Sequence, residues 1–364
     1  MSKLTELKKF YSGKRVLLTG HTGFKGSWMS LMLHMLGAEV YGYSLEAPTE
    51  PSLYDILGLD ALIYSEIGDI RNYEKLQTFF DKARPEVVFH LAAQPIVRTS
   101  YVFPRETYEI NVMGTVNVLE CARKYNSTHD EKIKTLLNVT TDKVYENNDE
   151  EGHAFIEDEK LDGYDPYSNS KSCSELVTHS YKKSFFNVAD GEVTRISTAR
   201  AGNVIGGGDF AKDRIIPDCV RDTIEGKTIH VRNPYSTRPY QHVLEPLYVY
   251  LLIAMQQAMD ESKADYYNVG PDEVDAITTG DLADKFVSSW GEGAGWHTEA
   301  EADAPHEASF LKLDTGKLKR VFGWSPVWHV DEAVDQTVKW YHAWHDNENM
   351  LEYTEKQISE FLSC

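Results

Sequence analysis

The chain has 364 residues, 41% hydrophobic and 12% aromatic, enough to bury the cores of two domains or of one large domain with a lobe. Its 37 basic and 57 acidic residues leave a net charge of −20, which disfavours a nucleic-acid surface yet allows an anionic small molecule held by a few arginines. No apolar run reaches the about 18 residues of a membrane span, and no signal-peptide core precedes the first predicted strand, so a soluble, cytoplasmic protein without membrane insertion is expected.

In chain order, Arg15–Thr19 (RVLLT) reads as a short buried strand, GHTGFKG follows at Gly20–Gly26, and Ser27–Leu36 is helix-like with Gly37 as its stop. Glu39–Tyr43 is the next strand, completing a βαβ spacing. Gly20, Gly23 and Gly26 let a diphosphate approach the backbone at a helix N-terminus, with His21, Phe24 and Lys25 as the other loop residues of a cofactor site. Glycine also serves tight turns, and the GxxGxxG spacing differs from GxGxxG, so the strand and helix around the motif carry the reading. No carboxylate occupies the first position after this second strand, where Ser44 offers a weaker ribose contact. No arginine follows there for a 2′-phosphate, so NAD is favoured over NADP.

Asp69 and Ile70 (GDI) come next, with Asp69 either accepting from an adenine amino group or capping the helix expected over Ile70–Ala83. The strand Glu86–His90 leads into Leu91, Ala92, Ala93 and Gln94, small enough in the middle for a flat cofactor to pass or simply to pack tightly. A long helix is predicted over Thr107–Lys124, a strand over Lys134–Thr140, a helix over Pro166–Asn187 and a strand over Glu192–Ser197. The alternation implies an α/β, Rossmann-like, mostly parallel sheet with helices on both faces. Beyond Arg200 the pattern loosens at Gly206–Gly208 and Arg232–Tyr240, with helices expected over Tyr248–Met259, Gly280–Val287 and Asp331–Trp344. The expected division is 1–200 plus approximately 241–270 for cofactor and approximately 201–240 plus 271–364 for a smaller, discontinuous substrate lobe.

Two stretches carry chemistry. Tyr167 and Lys171 share one helix face at i,i+4, where the ammonium can favour a phenolate that takes a proton from a sugar hydroxyl; a solvent-facing pair would have the same spacing. Thr140 and Thr141 end the preceding strand, on the side where open α/β sheets bind ligands, and Asp142 and Lys143 follow. They read either as a capped turn with an exposed charge or as a hydroxyl-binding threonine, a proton donor and a proton acceptor. The four cysteines (Cys121, Cys173, Cys219, Cys364) are scattered and no HExxH-type cluster appears, so neither a disulfide framework nor a metal site is expected.

Gly20/Gly23/Gly26, Thr141 and Tyr167/Lys171 resemble the extended short-chain dehydrogenase/reductases. The stretches TTDKVY and PYSNSK resemble, within them, the nucleotide-sugar 4,6-dehydratases, over almost the whole chain. Asn111, Asn203, Arg238 in STRPYQHV, and the late PHEAS and LDTGKLKRVFGWSP segments are further points of likeness. The resemblance implies a lyase of deoxysugar and lipopolysaccharide O-antigen biosynthesis that uses NAD to oxidise C4 of CDP-D-glucose. Water is then eliminated across C5 and C6, and hydride returns to C6. It gives Thr141, Tyr167 and Lys171 the first step, Asp142 the C6 hydroxyl and Lys143 the C5 proton. Related dehydratases carry glutamate in place of Lys143, and a lysine base must lose its proton against a reference pKa of about 10.4. Asn203 and Arg238 would hold the substrate diphosphate, and Ile215, Ile216 and Pro217 would frame the base. Arg214 and Arg221 would also face substrate, unless they only line a helix surface. A homodimer through the two long helices, or a homotetramer, is implied as well. C4 epimerisation is the rival reaction, disfavoured by Asp142–Lys143 because an epimerase expels no C6 hydroxyl. A silent nucleotide-sugar sensor is the rival class, disfavoured by the intact Tyr167/Lys171 pair.

Overall fold

A computed structural model describes residues 3–186, 194–298 and 310–364. The PHEAS stretch (305–309), Asn187 and the first residues of the predicted 192–197 strand lie outside the described residues.

Seven strands form one sheet: β1 (Arg15–Thr19), β2 (Glu39–Ser44), β3 (Tyr64–Ile67), β4 (Val87–His90), β5 (Thr135–Thr141), β6 (Arg195–Ala201) and β7 (Tyr266–Val269). Their order is β7-β6-β5-β4-β1-β2-β3 and every pairing is parallel. Both faces are covered, so β4 and β5 are buried at every position and β1 at all but its first, instead of alternating. On one face, Leu137 and Val139 of β5 join α1 (Lys3–Tyr11), α2 (Phe24–Met35) and α7 (Leu244–Met259) in the larger core. On the other, Leu136 meets α3 (Tyr73–Ala83), α4 (Gly114–Thr128) and α5 (Pro166–Tyr181).

Strand order reverses between β1 and β4, so the loops leaving these strands part to opposite sides and open a crevice at the carboxyl ends. Thr19 and His90 stand side by side in that register. Past β6 the chain forms short strand pairs off the sheet: Val204–Ile205 with Gln241–His242, Thr237–Pro239 with Ala276–Thr278, and Ile229–His230 with Trp296–His297. The last two pairs pack with α6 (Ile215–Ile224) and α8 (Thr279–Trp290). Further along, α9 (Val330–His345) lies against α8, and α10 (Met350–Ser363) returns to α1 and α2.

Several predicted bounds move for local reasons. Helix α2 begins three residues earlier than expected, inside the glycine motif, because Gly23 serves as its N-cap. The helix expected from Ile70 begins at Tyr73, since Asp69 accepts the Arg71 amide in a tight turn and Asn72 then caps Lys75. The long helix over Thr107–Lys124 is Pro104–Tyr108, a π-helical turn at Glu109–Met113, and α4. Strands β3 and β7, the two edges, and helices α1 and α10 were not anticipated.

Candidate active site

Gly20 leaves β1 at φ +81°, and a Cβ there would sit 2.8 Å from the Ala92 amide nitrogen, so the two crevice loops touch backbone to backbone. At Gly26 a Cβ would fall 1.9 Å from the Gly20 carbonyl oxygen, so the first turn of α2 rests on the same loop. No side chain caps α2, and a Cβ on Gly23 would find only the Gly20 carbonyl, at 3.4 Å. The amides of this turn therefore face an open cradle with the shape and polarity a dinucleotide diphosphate requires.

Around that cradle the predicted side chains divide. His21 is buried and points back into the sheet, its Nε2 2.7 Å from Ser65 Oγ and its ring edge against Tyr54; burial lowers its pKa to about 4. It braces the loop, and any contact with cofactor comes from its backbone. Ser44 Oγ lies 2.9 Å from Thr22 Oγ1, which donates to the Leu45 carbonyl. The adenine-acceptor reading of Asp69 meets a competitor, because its carboxylate holds the Arg71 guanidinium at 2.6 and 2.9 Å. Ile70 is buried under Gly114, and Phe24 packs on the larger core. Leu91 and Ala92 bond through their amides to the Thr19 carbonyl and hydroxyl, while Ala93 is half-buried. The Gln94 amide group is spent on Thr107 and Ile96, and its backbone is clasped by Asn111 from the π-helical turn.

The chemical groups converge where β5 ends. Thr141 donates to Asp142 Oδ1 at 3.0 Å and accepts from the Lys143 amide, while Lys143 Nζ stands 3.4 Å from the same Oδ1. Asp142 Oδ2 is buried with no partner among the described residues. Asp165 caps α5 by accepting the Ser168 amide, which fixes the helix start and aims Tyr167 at Thr141. Burial pushes the Tyr167 phenol up to about 12, opposed by its hydrogen bond with Thr141. Lys171 is buried and donates to the Val139 carbonyl at 2.9 Å; burial lowers its pKa to about 8, with Glu175 one turn on opposing. Thr141, Asp142, Lys143, Tyr167 and Lys171 thus form one cluster.

Lys25, expected only at the cofactor loop, also faces this cluster. Burial first, then Arg214, Lys171 and Lys143, bring its pKa to about 8 against the pull of Asp142. Arg214 is held by Asp209 at 2.8 Å and adds its charge near Tyr167. Four cations around one crevice give a protein of net charge −20 a locally positive site.

Other substrate candidates are placed as follows. The Asn203 side-chain oxygen is buried without a partner among the described residues, and Arg238 is buried with Nη1 donating to the Thr237 carbonyl. Ile215 is half-buried at the start of α6, and Ile216 and Pro217 are buried, Ile216 within the larger core. The Arg221 guanidinium is paired with Asp218 at 2.7 Å on its own helix, which supports the helix-surface alternative for it.

Sequence reading missed the support beneath. Arg200 of β6 pairs with Glu175 of α5 at 2.7 Å, both buried, and Glu175 also accepts from Thr140. Arg200 further donates to Tyr145 and to the Glu157 carbonyl, and Tyr145 donates to Asn268 of β7. The network binds α5 to the ends of three strands. Arg200→Met would leave the buried Glu175 carboxylate without its arginine, and is expected to cost about 3–5 kcal/mol of unfolding free energy, measured by denaturant titration. A loss below about 1 kcal/mol would show that the pair is dispensable.

Residues 17–337 match the family described as GDP-mannose 4,6 dehydratase. Over 360 residues, 98% of both chains, the protein is 48% identical to CDP-glucose 4,6-dehydratase of Salmonella typhimurium. It is 27% identical to dTDP-glucose 4,6-dehydratase 1 of Escherichia coli, over 92% of this chain and 95% of that one. Among solved structures, UDP-glucose 4-epimerase of Thermotoga maritima with UDP-glucose superposes at a TM-score of 0.76 with 21% identity, covering 91% of this chain and 99% of that one. The dTDP-glucose 4,6-dehydratase of Bacillus anthracis in complex with NAD gives 0.73 and 21%, over 93% and 99%.

Proposed function

From the premise that this chain belongs to the GDP-mannose 4,6-dehydratase family, we propose that it converts CDP-D-glucose to CDP-4-keto-6-deoxy-D-glucose and water, with NAD as a recycled cofactor. The observation that carries the reaction type is Asp142–Lys143, joined to Thr141 and set beside Tyr167 and Lys171. The Gly20–Gly26 turn would hold NAD, which would supply a hydride acceptor for C4 and a hydride donor for C6. Tyr167 takes the C4 hydroxyl proton, with Thr141 orienting that hydroxyl and Lys171 stabilising the phenolate. The resulting ketone acidifies C5–H, Lys143 removes that proton and Asp142 protonates the departing C6 hydroxyl. Arg214, Asn203 and Arg238 are assigned to the CDP diphosphate. Residues 1–200 and about 241–270 are assigned to cofactor, and about 201–240 and 271–364 to the nucleotide sugar.

Nucleotide-sugar epimerases share the fold, but a C4 epimerase has no use for an acid and base at C5 and C6. Incubation with CDP-, UDP-, GDP- and dTDP-glucose separates the readings by product mass and carbonyl content. Loss of one water from CDP-glucose alone is the expected result. Unchanged mass with altered stereochemistry would replace dehydration by epimerisation, and binding without turnover would leave a sensor.

We further assign a homodimer to the outer faces of α4 and α5, where Leu176 of α5, Met113 just before α4 and Phe185 just after α5 are each about half exposed. Sedimentation should show a dimer or a tetramer built from dimers, and Leu176→Glu should shift it toward monomer. A monomeric wild-type protein at micromolar concentration would refute this assembly.

A further inference from the structure

His90 lies buried at the end of β4, one residue before the Leu91–Gln94 loop, and takes no part in the chemistry above. Its Nδ1 is 2.8 Å from Thr19 Oγ1 and its Nε2 3.0 Å from Thr115 Oγ1. The neighbours fix every direction. Thr115 donates to the Asn111 carbonyl, so it can only accept from His90, which makes Nε2 the protonated nitrogen. Nδ1 then accepts from Thr19, whose oxygen is left to accept the Ala92 amide. Ser174 of the catalytic helix lies 2.9 Å from Thr115 Oγ1, and Ser174 itself accepts from Asn138. Asn111 closes the ring by clasping the Gln94 backbone and donating to Ser170, the neighbour of Lys171.

We propose that His90 is a positioning residue that locks the Leu91–Gln94 loop against the Gly20 turn and the Tyr167/Lys171 helix through this one-way chain of hydrogen bonds. Both ends of the loop are pinned by it, Ala92 through Thr19 and Gln94 through Asn111. Because Gly20 already meets the Ala92 nitrogen with no room for a Cβ, a small loop displacement alters the cradle directly. Burial holds His90 neutral, with a pKa of about 3, and nearby Lys171 adds to that. A charged imidazole would have to turn Thr19 away from Nδ1.

The proposal rests on the NAD reading, so the test separates them. Wild-type protein and His90→Asn, His90→Gln and His90→Leu are titrated with NAD by tryptophan quenching, and their melting temperatures are recorded. Asparagine can keep an acceptor near the Nδ1 position, so His90→Asn should bind NAD within about threefold of wild type. His90→Leu and His90→Gln, which leave the Thr19 hydroxyl without its acceptor, should weaken binding about tenfold or more. Equal affinities for the Asn and Leu variants, or unaltered affinity in His90→Leu, would overturn the proposal; failure of the wild type to bind NAD would instead overturn the cofactor reading. Nitrogen-15 NMR of labelled histidine decides the chain direction without cofactor: Nε2–H is expected for His90 across neutral pH, and an Nδ1–H tautomer would reject it.

Discussion

Replacing Tyr167 with phenylalanine is expected to slow NADH formation from CDP-D-glucose by about a hundred- to ten-thousand-fold while NAD binding and melting temperature stay close to wild type. The phenol oxygen is the one atom removed, and Thr141 keeps its partners Asp142 and the Lys143 amide. Stopped-flow absorbance at the NADH band checks this, and hydride transfer at the normal rate would reject Tyr167 as the first base. The pH dependence carries a second signature. The step needs a phenolate beside an ammonium, yet burial places the phenol at about 12 and Lys171 at about 8. The active protonation state is therefore the minority one. Its population climbs with pH while Lys171 stays charged, then levels above about 8, because each further gain of phenolate is matched by loss of ammonium. The break in the wild-type profile thus reports Lys171, and it should move in Lys171→Arg. A profile that keeps rising beyond pH 9 would separate the lysine from the step.

How much of this was legible beforehand depends on the range over which each signal acts. The β1–glycine–α2 unit and the Tyr167/Lys171 pair are local patterns of period and spacing, and both appear where the sequence places them. Edge strands β3 (YSEI) and β7 (YYNV) are short and lack an apolar run, so they give no strand signal until the sheet supplies a neighbour. The π-helical turn at Glu109–Met113 leaves helical composition unchanged and adds no marker, though it sets Asn111 against Gln94. The Asp69–Arg71 pairing gave no signal beforehand because its two members lie only two residues apart and a turn can satisfy both. Arg200–Glu175 and the His90 chain join segments far apart in sequence, visible beforehand only as charged or polar residues inside apolar strands.

Lys143→Met should separate the two halves of the cycle, since it keeps an unbranched side chain of similar length and removes the base. NADH is expected to form and persist, whereas exchange of C5–H with deuterated solvent should fall by about a hundred- to ten-thousand-fold and dehydration should stall. Retained fast exchange would sink the proposed role. Proton balance explains why the two neighbours must differ. The C5 proton goes to Lys143 and returns to C5 once C6 is reduced, so Lys143 ends as it began. The proton that leaves in water has one net source, the C4 hydroxyl, because C4 is a ketone in the product. That proton is taken up by Tyr167, and the hydrogen bond between Tyr167 and Thr141 together with that from Thr141 to Asp142 Oδ1 leads to the carboxyl group assigned to the C6 oxygen. Asp142→Asn should therefore leave C5 exchange in place and block water loss, the converse of Lys143→Met. If Asp142→Asn instead abolished exchange and spared elimination, the acid and base assignments would have to be reversed.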